Sequence, residues 1–191
     1  MHFQSECKEF ETHHTAAHHN IAKAVISALK EHTKGWKFYY KTTIEDLPWV
    51  FKWANRREER RQRRRRPDGV AWNEQEQRLL FLEFTRSMDQ GDSLEAATLM
   101  KGEQYNAAVA AARAGQRAVR NFTVQTIPLV FGVRGSVAYS DIVQQLAPFG
   151  LHKPDRVLAA GVRAAVAAAS TMIDGRKAKL AELTAAGRQD G

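Results

Sequence analysis

Asp68 and Glu83 are the two residues whose type and placement suggest chemistry. They sit in Arg66-Pro67-Asp68-Gly69-Val70-Ala71-Trp72-Asn73 and in Leu79-Leu80-Phe81-Leu82-Glu83-Phe84-Thr85. Gly69 to Asn73 and Leu79 to Thr85 are rich in β-formers, and the polar Glu74 to Gln77 between them reads as a hairpin loop. With that loop, Asn73 faces Arg78 and the antiparallel register sets Asp68 opposite Glu83. Opposed residues have Cβ atoms about 5 Å apart. Thr85 falls on the same face as Glu83. Carboxylates that close repel and raise one another's pKa, which a bridging cation relieves. Mg²⁺ (or Mn²⁺) suits hard oxygen ligands and is often held by one or two carboxylates plus phosphate oxygens. The plainer alternative is a hairpin whose Asp68 caps a turn and whose Glu83 is solvated. Against it, Glu83 interrupts an apolar run of the kind buried on both faces, where a charge is costly unless paired or metal-bound.

Other candidates lie around this pair. Lys101 stands on an otherwise largely apolar stripe, so it either snorkels to the edge or reaches a charged site, with Tyr105 one turn further on. Arg56 to Arg66 holds eight arginines and two glutamates, +6 of a net charge of +8, and ends at Pro67-Asp68. Within it, Arg63, Arg64, Arg65 and Arg66 are candidates for holding a nucleic-acid backbone. Arg134 in Gly132-Val133-Arg134-Gly135 is another, although a plain turn is the commoner meaning of that stretch. His13, His14, His18 and His19 follow Cys7, but a finger-type zinc site needs a second cysteine, which is missing. His14 and His18 extend an apolar stripe and are read first as satisfied neighbours of a core, second as residues facing a site.

These residues need elements to position them. A helix is expected from Thr15 to His32, with His14, His18, Ile21, Val25, Ala28 and Leu29 on its inner line. Lys34-Gly35 ends it, and Trp36 to Thr42 alternates as a strand. Thr43 to Asn55 is ambiguous. After the hairpin and a loop over Arg86 to Gly91, Asp92 and Glu95 resemble a capping box. A helix then runs to Arg113, its inner stripe Leu94, Ala97, Thr98, Lys101, Tyr105, Ala108 and Ala112. Phe122 to Val133 reads as a strand, at a sheet edge because of Pro128. Tyr139 to Ala147 is a short helix, and Pro154 opens a final one with inner residues Leu158, Val162, Ala165, Val166, Ala169, Met172 and Ile173. The expected organisation is a frayed segment over residues 1–14, one domain over 15–175 and a polar tail over 176–191. The fold class is α/β, a small mixed sheet flanked by helices.

Composition narrows the function classes. With 191 residues and 43% apolar content the chain can build a core. One cysteine excludes an internal disulfide and points to a reducing, intracellular compartment. No signal-peptide core and no run of about 18 apolar residues is evident, so no membrane is expected. A pI of about 9.8 favours a polyanionic partner. There is no glycine-rich phosphate loop and no nucleophile elbow for Ser-His-Asp chemistry.

The order helix, strand, hairpin, helix, strand resembles the PD-(D/E)XK nuclease superfamily, a restriction-endonuclease-like core. Within it the chain looks most like the endonuclease domain of non-LTR retrotransposons. The likeness rests on Arg65 to Val70, on Leu82 to Asp89 with Lys101 and Tyr105, and on Ile127 to Ser136. It covers roughly Thr15 to Ile173. It implies a metal-dependent DNA endonuclease in which Asp68 and Glu83 bind the divalent ion and a lysine positions or activates water. The superfamily places that lysine two residues after the glutamate, where this chain has Thr85. The retrotransposon group supplies it from the following helix beside a tyrosine, which Lys101 and Tyr105 match. Paired cleavage would suit a homodimer, and the location would be nuclear, or cytoplasmic in a prokaryote. One rival is a catalytically inactive DNA- or RNA-binding module that uses the arginine run alone. Another takes that run as a nuclear-import signal on an interaction protein.

Overall fold

A computed structural model describes residues 3–47, 64–87, 92–107, 109–110 and 121–186. Helix α1 (Phe3–His32) leads through Gly35, which takes the left-handed φ of 76°, into strand β1 (Trp36–Tyr40). Then come β2 (Gly69–Asn73), β3 (Arg78–Ser87), α2 (Ser93–Glu103), β4 (Thr123–Gly132), α3 (Tyr139–Leu146) and α4 (Pro154–Ala186). The sheet order is β1-β2-β3-β4. The first two pairings are antiparallel and β3/β4 is parallel, so the sheet is mixed and the fold is α/β with flanking helices. Helix α2 lies in the crossover that a parallel pair requires. Pro128 has no N–H to donate, and among the described residues β4 is accordingly an edge strand paired with β3 alone.

Side-chain alternation divides the core into two layers. Leu80, Leu82 and Phe84 of β3, with Ala71, Ile127, Leu129 and Phe131, face Ile21, Val25 and Leu29 of α1 and Leu158 and Ala165 of α4. Leu79 and Phe81, with Val70, Trp72 and Val124, meet Tyr105 and Val109 beyond α2. Burying β3 on both faces explains its nearly unbroken apolar run.

The structure changes several expectations. Helix α1 begins at Phe3 rather than Thr15, so the segment expected to fray is helical from that point. Likewise α4 continues to Ala186, through most of the expected tail. Asp92 is the N-cap of α2, but its side chain makes no capping hydrogen bond. The inner face of α4 is shifted: Val157, Leu158, Ala165 and Ala168 are buried, whereas Val166 and Ile173 are exposed. Glycine at 161 permits this, because a Cβ there would come within 2.3 Å of Phe131 Cζ and 2.9 Å of Val25 Cγ2. Pro154–Glu182 of α4 is membrane-like by length and composition, with mean hydropathy 1.4 in its most apolar window, although Arg163 interrupts its apolar residues. Its alanines supply much of that value, and its buried stripe packs on α1 and β4. Arg63, the loop over 88–91, Ala108, Ala112 and the helix end expected at Arg113 lie outside the described residues.

Candidate active site

The hairpin register is the expected one. Asn73 pairs with Arg78 and Gly69 with Leu82, so the next row sets Asp68 against Glu83. The four-residue loop is fixed by Asn73, which is buried and accepts the Glu76 N–H at 3.0 Å through Oδ1. Parallel pairing extends the row, with Glu83 beside Pro128 of β4. Gly69 allows the close approach of the two strands and α1, since a Cβ there would lie 2.9 Å from Ile26 Cδ1.

The pair is bonded on every side. Asp68 N–H donates to Glu83 Oε1 at 3.3 Å, and Phe84 N–H donates to Asp68 Oδ2 at 3.0 Å. His18 Nε2 of α1 lies 2.9 Å from Asp68 Oδ1. From the opposite layer, Lys101 Nζ of α2 lies 3.1 Å from Glu83 Oε2 and 2.8 Å from Gln104 Oε1. Lys101 therefore reaches the charged site instead of snorkelling away from it. Thr85 follows two residues after Glu83 and is half-buried.

The two carboxyl groups are driven apart electrostatically. Glu83 is only 2% exposed. Its burial, and then the charge of Asp68, push its pKa above the ordinary carboxyl value, partly offset by Lys101. Burial acts in the same sense on Asp68, but the His18 hydrogen bond, the Phe84 N–H and the charges of His18 and Lys101 outweigh it and hold Asp68 low. Tyr105 is buried beside them, and burial, Glu83 and Asp68 together raise its hydroxyl far above the usual phenol range, so it stays protonated.

The arginines divide. Arg65 donates to the carbonyl oxygen of Gln104 and stands 5.5 Å from the centroid of the Tyr105 ring. Arg66 donates to the carbonyl oxygen of Lys41. Both flank the pair and brace its neighbours, while Arg64 is exposed. Arg134 is exposed in the turn after β4. The row of Ser87 and Gly132 that precedes it is four residues beyond Glu83, or about 13 Å along the strand. Arg134 is thus not brought to the carboxylates.

The sequence pattern ranks His18 as a core neighbour, weighs His19 only for zinc, and gives no part to Lys41 or Gln104. The inner stripe of α1 does carry the signal for His18. Gln104 stands three residues after Lys101, a spacing at which helical side chains meet. Among the described residues, no three His, Cys, Asp or Glu side chains converge as a ready-made metal cage. The donor set is two carboxylates, which matches an ion that takes its remaining oxygens from phosphate and water. Asp68 and Glu83 also set two acids side by side in a buried place, where each raises the cost of charging the other and a cation would relieve it. Clefts of about 550 and 560 Å³ lie elsewhere and include neither carboxylate.

No family model matches the chain, and no curated protein matches it.

Proposed function

We propose that this chain is a divalent-metal-dependent endodeoxyribonuclease with a restriction-endonuclease-like core, of the kind carried by non-LTR retrotransposons. The supporting observation is Glu83: a carboxylate 2% exposed, set opposite Asp68, with Lys101 3.1 Å away from the covering helix. A structural role alone gives little reason to keep two acids and a lysine where apolar side chains would pack.

Asp68 and Glu83 would hold Mg²⁺ or Mn²⁺. When bound, the ion supplies Lewis-acid charge to the scissile phosphate and the attacking water. Lys101 stabilises negative charge as the phosphorus is attacked, and Gln104 fixes the direction of its ammonium. His18 orients the Asp68 carboxylate through Oδ1. Protonated Tyr105 limits the orientations open to Glu83. The arginine segment holds the DNA backbone by charge without reading bases.

The Lys101–Glu83 pair also gives the inactive binding module its specific support, because a lysine already occupies the place a cation would take. Nicking of supercoiled plasmid in Mg²⁺ or Mn²⁺ separates the two readings. The expected result is nicking abolished by EDTA, Asp68→Ala and Glu83→Ala and reduced at least about 100-fold by Lys101→Ala, the scale of losing one transition-state donor. DNA retained in a gel shift without any nicking would make the module a binder.

A further inference from the structure

Lys41 is the residue after β1, and its backbone takes a left-handed φ of 51°. That conformation suits glycine and is strained for a residue with a Cβ. Two contacts hold it there. Lys41 N–H donates to the carbonyl oxygen of Asp68 at 3.2 Å, and Arg66 donates to the Lys41 carbonyl oxygen. The β1/β2 register pairs Tyr40 with Gly69, so the next row reads Lys41, Asp68, Glu83. A strained lysine is locked beside the acidic pair.

The surroundings of its ammonium are cationic. Lys41 Nζ meets Nε2 of His19, whose pKa is lowered by burial and then by Lys41 itself. Lys23, one turn further along α1, brings its Nζ to 6.0 Å from the centroid of the Tyr40 ring, and Lys41 Nζ lies 5.9 Å from the same centroid. Burial and then the charge of Asp68 raise the Tyr40 hydroxyl, and Arg66 acts on it in the opposite sense. Asp68, in the neighbouring row, already has Oδ1 on His18 and Oδ2 on the Phe84 N–H. Among the described residues, no carboxylate lies within 4 Å of the cationic atoms of Lys23, Lys41 or Arg66. Like charges gathered around one ring with Asp68 alone near them, its oxygens already engaged, are unfavourable unless a further anion joins them. Strain retained at a lysine, where glycine would relieve it, points to a use for the charge.

We propose that Lys23 and Lys41 form a phosphate-binding subsite on the α1 side of the carboxylate pair, taking a nucleic-acid backbone phosphate that neighbours the one presented to Asp68 and Glu83. The subsite rests on the nucleic-acid part of the functional reading and not on cleavage. It complements the arginines, since Lys101 and Arg65 flank the pair from the α2 side and Lys23 and Lys41 from the α1 side.

The test is fluorescence-anisotropy titration of a labelled DNA duplex in EDTA over a range of salt. The double variant Lys23→Gln/Lys41→Gly removes both charges and gives position 41 the residue its φ favours, so it should fold, as a thermal melt will verify. Each phosphate contact contributes about 0.9 to the slope of log K against log salt, so the slope should fall in magnitude by roughly 2. Lys23→Arg/Lys41→Arg should keep it. An unchanged slope in the folded glutamine/glycine variant overturns the subsite while leaving the nuclease reading intact. No duplex binding by the intact chain overturns both. A reduced slope in a protein that never nicks plasmid supports the subsite and overturns only catalysis.

Discussion

At Glu83 the fold carries a cost that its neighbours only partly offset. Its carboxylate is buried, opposed by Asp68 and paired with Lys101. Glu83→Gln keeps the shape and removes the charge, while Lys101 keeps its 2.8 Å contact with Gln104. In EDTA at pH 7 the variant should therefore melt higher than the wild type, by about 2–4 °C for each kcal/mol recovered in a chain of this size. The pH dependence has a defined sign. The folded value of Glu83 lies above its ordinary 4.5, so within that window the native state binds more protons than the unfolded state and stability falls as pH rises. The advantage of the glutamine variant should be small below about pH 4, grow through the window and reach its full size above the folded value. Mg²⁺ should raise the wild-type melting temperature by binding the native state and leave Glu83→Gln nearly unmoved. Equal Mg²⁺ shifts in both proteins would remove Glu83 from the metal site. Much of this site is legible in the sequence, because a four-residue loop sets the Asp68–Glu83 row and Lys101 is conspicuous on an apolar stripe. The His18 contact is less so: it spans 50 positions and depends on how α1 crosses the end of the sheet, which no local pattern encodes.

At the scale of elements, α1 and α4 form a close pair on one face of the sheet, α1 against β1 and β3 and α4 against β4, and Gly161 lies where α4 meets both Val25 and Phe131. Alanine favours a helix over glycine by about 1 kcal/mol. At 161 that gain loses to sterics, because the added Cβ would fall 2.3 Å from Phe131 Cζ. Overpacking of this kind costs about 1–3 kcal/mol, so Gly161→Ala should lower stability in urea melts. At Gly175 in the same helix an added Cβ would meet nothing within 4 Å, and Gly175→Ala should raise stability by up to about 1 kcal/mol. If both substitutions stabilise, the close packing at Gly161 is wrong. The same glycine explains why the inner face of α4 is hard to read from its residues. The apolar pattern finds Leu158, Val162 and Ala165 but also favours Val166 and Ile173, whereas close packing selects Gly161 and Ala168, whose small side chains give almost no hydrophobic signal. The strands are easier, since alternation locates β1, the apolar run locates β3 and Pro128 marks β4 as an edge strand. The start of α1 at Phe3 is hidden because residues 3–12 are mostly polar.

For the whole molecule, the concentrated charge runs along the chain directly into the site. The segment 56–66 holds +6 of the net +8 and leads straight into Asp68. Its last two arginines are not free counter-ions: Arg65 is bound to the Gln104 carbonyl and set against Tyr105, and Arg66 is bound to the Lys41 carbonyl. Replacing Arg65 or Arg66 would disturb the geometry around the carboxylates as well as remove charge. The earlier arginines offer a cleaner separation of binding from chemistry. Changing Arg60, Arg61, Arg63 and Arg64 together to glutamine should reduce the magnitude of the salt slope of duplex binding by up to about 3–4, at about 0.9 for each phosphate no longer neutralised. Plasmid nicking at saturating protein and low salt should stay within about threefold of wild type, because uniform binding energy that is removed raises KM and leaves kcat. A large fall in nicking at saturation would mean that these arginines act on the reacting phosphate itself. An unchanged salt slope would mean that the concentrated positive charge serves something other than a nucleic-acid backbone, and the nuclear-import reading of the run would then take precedence.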